Sequence, residues 1–139
     1  MKKENLSEQD CVFCSIAKGD IPSEDIYEDD YTKAFLDINP VTYGHTLVIP
    51  KEHFSMMTDV PDETLARSYQ ISKRLMSTLK KAYSADFVTL AVVGIDIPHF
   101  HIHLIPRKRD DGVTNFWPTT KYGEGELKIE ANKIRPFVS

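Results

Sequence analysis

The sequence predicts an α+β domain: an antiparallel sheet of about five strands, one long helix and one or two short ones. Three observations carry this. Pro98-His99-Phe100-His101-Ile102-His103-Leu104-Ile105-Pro106 alternates histidine with large apolar residues, the two-residue period of a strand that turns one face to a core. Between Asp59 and Tyr83, the residues Leu65, Tyr69, Met76, Leu79 and Tyr83 recur at helical spacing, and Lys73, Arg74, Lys80 and Lys81 fall mostly elsewhere. The other apolar runs are short and bounded by turn residues, as in antiparallel strands. Helices packed on one face of such a sheet complete the class.

Taken in order, Cys11 to Lys18 suits a short helix or turn, ended by Gly19 and the extended Ile21-Pro22 pair. Ile26–Glu28 and Lys33–Asp37 flank Asp29-Asp30 and predict a hairpin. Asn39-Pro40 is a turn signal, and Thr46–Ile49 is a strand stopped by Pro50. Asp59 is the expected N-cap of the long helix, with Pro61, Asp62 and Glu63 in its first turn and Lys80 and Lys81 favouring its C-terminal dipole. Phe87–Val93 is a strand whose unbroken apolar character suits burial on both faces, and Gly94 ends it. Glu126–Arg135 forms a short terminal helix through Leu127, Ala131 and Ile134.

Length and charge narrow the function. At 139 residues the chain suits a single domain, 1–139, with residues 1–10 a flexible leader. A net charge of −4 argues against binding nucleic acid by neutralising phosphates. No apolar run approaches the ~20 residues that span a bilayer, so no membrane partner is expected. The first ten residues are polar, without the apolar stretch of a secretory signal, and a cytoplasmic location is the expectation.

Two groups of residues carry chemistry. Cys11 and Cys14 form a C-x-x-C pair, open to reading as a redox pair, half of a zinc site or two unrelated thiols. Three of the five histidines stand on one predicted strand, on one side, spaced by roughly 7 Å. They suit three ligands of a catalytic zinc, or a nucleophilic imidazole with acid, base or charge-stabilising neighbours. A cluster of satisfied or surface histidines is the plainest alternative. Metal binding on the triad alone is handicapped, because rings at i, i+2 and i+4 of one strand diverge in reach.

His99-Phe100-His101-Ile102-His103-Leu104 resembles the signature of the histidine triad family of nucleotide hydrolases and transferases. The likeness extends to Cys11-Val12-Phe13-Cys14 with Gly19-Asp20-Ile21-Pro22, to Phe35-Leu36-Asp37-Ile38-Asn39-Pro40, and to the block Gly44–His53. The resemblance implies that His101 attacks the α-phosphate of a nucleotide and forms a transient nucleotidyl-histidine. His103 would stabilise the developing charge, and His45 would stand at the phosphate edge. Asp37 would take the ribose hydroxyls beside Ile38, and a carboxylate is a good acceptor for a diol. Val12, Phe13, Ile16, Ile21 and Phe35 would form the apolar slot for the base, although core packing explains each of them equally.

The resemblance also gives the C-x-x-C pair a meaning. Branches of the family carry zinc on this pair and two histidines, which here would be His53 and His99, as a closed structural site. It implies a two-fold homodimer whose sheets join through the long helix and the Phe87–Val93 strand. It implies too that the tail 110–139, with Trp117-Pro118, packs on the domain or reaches the partner's pocket. One departure stands out: the lead-in to the triad is Gly94-Ile95-Asp96-Ile97-Pro98, where the better-known branch places glutamine and serine or threonine on the phosphate. An aspartate there repels phosphate unless it turns away, is protonated, or instead serves a histidine or a leaving-group proton.

The implied function is a nucleotide hydrolase or nucleotidyl transferase acting on conjugates of a purine nucleoside monophosphate: phosphoramidates, acyl-adenylates or dinucleoside polyphosphates. Two rivals remain: a nucleotide-binding regulator with negligible turnover, and a hydrolase with zinc on the triad itself.

Overall fold

The computed structural model describes residues 10–113 and 121–137. The leader before Asp10 and the Trp117-Pro118 pair lie outside these residues.

The described elements are α1 (Val12–Lys18), β1 (Asp25–Glu28), β2 (Thr32–Leu36), β3 (Thr46–Pro50), a 3-10 turn (Met57–Asp59), α2 (Asp62–Tyr83), β4 (Phe87–Ala91), β5 (Ile102–Arg107), α3 (Glu126–Ile134) and a final 3-10 turn (Arg135–Phe137). The strands form one antiparallel sheet in the order β1-β2-β3-β5-β4. Gly19 ends α1 in the left-handed conformation at φ 86°, and its N–H returns to the carbonyls of Ser15 and Ile16. The Asp29-Asp30 hairpin forms as expected, with the Asp29 carboxylate accepting from the N–H groups of Tyr31 and Thr32.

β2 and β3 are buried on both faces, so both faces must be covered. The expectation that helices pack on one face is therefore corrected. α2 covers one side through Ile71, Leu75 and Leu79 against Ala34, Val48, Phe100, Ile102 and Leu104. α1 covers the other through Phe13, Cys14 and Ile16 against Phe35, Leu47 and Ile49. Adjacent strand residues, Val48 and Leu47 for example, thus serve different cores.

Three further expectations change. α2 begins at Asp62 after Pro61, and Asp59 stands instead in the preceding 3-10 turn and caps nothing. Its buried stripe is Ser68, Ile71, Ser72, Leu75 and Leu79, so Leu65, Tyr69 and Met76 pack at the margin and Tyr83 is exposed. Ser68 and Ser72 are fully buried; they are small, and their hydroxyls donate to the Thr64 and Ser68 carbonyls. β4 ends at Ala91 and forms a sheet edge, with Phe87 exposed, so within one chain it is not buried on both faces.

The histidine strand is shorter than its pattern. Pairing begins at Ile102, and His99 and His101 occupy the chain leading into it. Face selection nevertheless holds, since Phe100, Ile102 and Leu104 all enter the α2 core. The terminal helix forms over Glu126–Ile134, but Leu127 and Ile129 are exposed.

Candidate active site and metal centre

His45 is set one residue before β3, and His103 lies in β5 opposite Leu47. The antiparallel pairing of these strands brings their rings together, with His45 Nε2 2.9 Å from His103 Nδ1. The His101 and His103 ring centres are 4.9 Å apart. The three predicted reactive histidines therefore form one row. The protons along it follow from groups that have only one possible role. The Val41 N–H donates to His45 Nδ1 over 3.0 Å, so the proton of neutral His45 sits on Nε2. That Nε2–H donates to His103 Nδ1, which leaves the His103 proton on its Nε2.

His101 is fixed by the same logic. Its Nδ1–H donates to the carbonyl oxygen of His99 over 2.7 Å, so the Nε2 lone pair remains for reaction. Burial disfavours the charged forms of His45 and His103. It pushes His45 down from its ordinary range against the opposing pull of Asp37. It pushes His103 down to about 4, reinforced by His101 and His45 and opposed by Asp37 and Asp96. The 3.6 Å approach of Asp37 Oδ2 to His45 Nε2 is accordingly a carboxylate beside a neutral ring. Asp37 Oδ1 accepts the Asn39 N–H, which ties the carboxylate to its own turn.

The Phe13 ring stands edge-on to His101 at 5.0 Å and to Phe35 at 5.5 Å. Phe13, Ile16 and Phe35 belong to one buried cluster beside the histidine row, which Leu47, Ile49 and Ile97 join. The other predicted nucleotide contacts stand apart from that cluster. Ile38 is 91% exposed, and Val12 and Ile21 are partly so. Gly94 and Asp96 are exposed on the loop between β4 and β5.

The first triad histidine faces a different way. Cys11 Sγ lies 3.4 Å from His99 Nδ1, and Cys14 Sγ lies 3.2 Å from His53 Nδ1 and 3.5 Å from His99 Nδ1. The four donor atoms all fall within 4.8 Å of one another. A tetrahedral Zn²⁺ at ordinary bond lengths separates its sulfur and nitrogen ligands by about 3.6 Å, so the cluster fits such an ion. His99 Nε2–H donates to the Pro50 carbonyl over 2.9 Å, which directs the Nδ1 lone pair at the cysteines. The Cys14 N–H donates to Cys11 Sγ at the start of α1. Among the described residues the three triad histidines form no common ligand set, because His99 groups with the cysteines and His53, and His103 with Asp37 and His45.

The HIT domain family model matches residues 18–110, a span that contains all five strands and all five histidines. The chain belongs to the HIT family. The adenosine 5′-monophosphoramidase HNT1 of Saccharomyces cerevisiae is 41% identical over 111 residues, 78% of this chain and 70% of that protein. The adenylylsulfatase HINT3 of Arabidopsis thaliana is 34% identical over 128 residues, 88% of this chain and 64% of that protein. The crystal structure of a Zn-bound histidine triad family protein from Mycobacterium smegmatis superposes with a TM-score of 0.74 at 32% identity, covering 94% of this chain and 99% of the other. The five-stranded antiparallel sheet with its long helix is thus the HIT fold. Cys11 and Cys14 precede the matched span, and α1 carries them to the HIT domain's His53 and His99.

Several contributors to this HIT site carry no signal in the sequence. The Val41 N–H, the Pro50 carbonyl and the His99 carbonyl are backbone groups, identical in every residue type that offers them. Lys33 was legible only as a strand residue. It is buried and donates from Nζ to the Ile16 carbonyl, which anchors the end of α1 over the cluster.

Proposed function

We propose that this HIT protein hydrolyses conjugates of a purine nucleoside monophosphate, transferring the nucleotidyl group to His101 and then to water. The observation that carries this reading is the His101 Nδ1–H bond to the His99 carbonyl. It holds the reactive lone pair on Nε2, and it stabilises the positive charge the ring acquires when that nitrogen bonds phosphorus. In the first step His101 Nε2 bonds the α-phosphorus, and the bond to the leaving group breaks with its electron pair. In the second, water bonds phosphorus and releases a proton to solvent, the P–N bond to His101 breaks, and its electron pair returns the ring to neutral. His103 Nε2–H, oriented through His45 and Val41, donates to a phosphoryl oxygen in both steps. Asp37 takes the ribose hydroxyls, and Phe13, Ile16 and Phe35 hold the base, with Ile21 and Ile38 at its edge and Gly94 beside the phosphate.

Cys11, Cys14, His53 and His99 would hold structural Zn²⁺, which supplies a cross-link between the N-terminal segment and the chain that presents His101. That structural role, with His99 committed to the cysteines, disfavours catalysis by a metal on the triad. The exposed edge β4 with α2 beside it is the surface through which we expect two copies to pair. Among the described residues no helix is long and apolar enough to cross a membrane. Buried thiols kept for a metal suit the reducing cytoplasm.

The test is AMP release from adenosine phosphoramidate and from diadenosine tetraphosphate by wild type and His101→Ala. Release that vanishes in the variant, with a nucleotidyl adduct on wild-type His101 detected by mass spectrometry, supports the reading. AMP binding with no release from either substrate would replace it with a nucleotide-binding module.

A further inference from the structure

Two groups of the described residues hold their donor atoms close enough for a metal ion: Cys11, Cys14, His53 and His99, and Asp37, His45 and His103. The second group is spaced as well as the first. His45 Nε2 lies 2.9 Å from His103 Nδ1 and 3.6 Å from Asp37 Oδ2. Nitrogen and oxygen ligands of a tetrahedral Zn²⁺ stand about 3.3 Å apart, and the two distances bracket that value. Two imidazoles and a carboxylate are also an ordinary donor set for zinc. Spacing and residue type therefore do not decide which group takes the metal.

The partner of each ring's other nitrogen does. A neutral imidazole carries one proton and binds metal through the nitrogen that lacks it. In the cysteine group both rings are set for this. His99 donates Nε2–H to the Pro50 carbonyl and turns a bare Nδ1 to the sulfurs. His53 turns Nδ1 to Cys14, and its buried Nε2 meets no hydrogen-bonding group among the described residues, so nothing there opposes a proton. His45 is set the opposite way. The Val41 N–H can only donate, and it engages the Nδ1 lone pair over 3.0 Å. The ring proton therefore stands on Nε2, the atom that faces Asp37 and His103. A metal at Nε2 would drive that proton to Nδ1, where it would confront the Val41 N–H and leave two donors without an acceptor. His45 is 4% exposed, so solvent offers little relief.

We propose that the Val41 backbone N–H keeps divalent metal off the histidine row and so confines zinc to the cysteine cluster. The two metal-sized groups are told apart by one hydrogen bond each: a carbonyl behind His99 makes its facing nitrogen an acceptor, and an N–H behind His45 makes its facing nitrogen a donor. A metal held by His45, His103 and Asp37 would take three groups that the proposed reaction uses. Metal selection by the Val41 N–H is nevertheless independent of that reaction and is tested without substrate.

The experiment measures zinc binding to the full chain by equilibrium dialysis and elemental analysis, in wild type, Val41→Ala and Val41→Pro, each with and without His103→Asn. Proline removes the N–H, whereas alanine keeps it. Wild type and Val41→Ala should hold about one zinc per chain. Val41→Pro should take a second that His103→Asn abolishes, bound at least about tenfold more tightly than wild type binds there, the scale of one unmade hydrogen bond. Long-range proton–nitrogen NMR on ¹⁵N-histidine wild type should place the His45 proton on Nε2. A second zinc in wild type that is lost with His103→Asn and matches Val41→Pro in affinity overturns the proposal. A folded Val41→Pro that takes no second zinc overturns it too, as does a His45 proton found on Nδ1. Should Val41→Pro fail to fold, the wild-type stoichiometry and tautomer still decide the matter.

Discussion

The carbonyl oxygen of His99 lies 2.7 Å from Nδ1 of His101, while the His99 ring points its own Nδ1 at Cys11 and Cys14. One residue therefore joins the cysteine cluster to the proposed nucleophile, its side chain facing the first and its backbone bonding the second. Anything that loosens His99 should reach His101 within two residues.

His101→Ala should lower AMP release by at least about 10³-fold, the scale seen when a nucleophile is removed. The substitution leaves the α2 core untouched, because Phe100 and Ile102 face that side. Circular dichroism should therefore be unchanged, and steady-state assay with a product standard checks the loss.

Purified protein should carry about one zinc per chain by elemental analysis, lost in Cys14→Ser. The ligands join α1 to the chain on either side of α2, so a strong chelator should lower Tm by roughly 10 °C or more. Restoring zinc should recover it. A Tm indifferent to chelator would sink the structural assignment.

Gly44 has a φ of +92°, and a Cβ there would lie 2.4 Å from Tyr83 Cε2. Both the backbone conformation and the ring oppose a side chain. Gly44→Ala should destabilise the fold by about 1–3 kcal/mol in urea titrations. Tyr83 is partly exposed, so Tyr83→Ala in the same chain should remove the steric part and leave only the strain of the left-handed backbone.

His103 titrates at about 4 in the fold and near 6.5 in an unfolded chain. Between these values the unfolded state binds more protons, so stability falls as pH drops from about 6.5 toward 4. The urea midpoint of wild type should decline through that window more steeply than that of His103→Asn. Parallel declines in the two proteins would show that His103 does not contribute.

Much of this was legible in the residues themselves. The alternation from His99 to Leu104 assigned Phe100, Ile102 and Leu104 to a core and the histidines to the opposite side, because a pleated chain offers only two faces. Gly19, the Asp29-Asp30 turn and the apolar spacing of α2 located three further elements. The resemblance of the blocks around Cys11, Asp37, Gly44 and His99 brought the candidate residues together on paper, and the fold brings the two histidine-containing groups together in space. The stripe of α2 was misjudged because Ser68 and Ser72 look polar, yet they bond their own helix and fit where larger residues would not.

Residue types and their order by themselves determined which side chains this protein has for chemistry, and which face of the histidine strand turns inward. The tertiary structure alone decided the division of labour among them. Whether an imidazole offers Nδ1 or Nε2 depends on the partner of its other nitrogen, and here those partners are the Val41 N–H and the carbonyls of Pro50 and His99. Every residue has such backbone groups, so no sequence pattern marks them, and only the packed strands bring the right ones within hydrogen-bond reach.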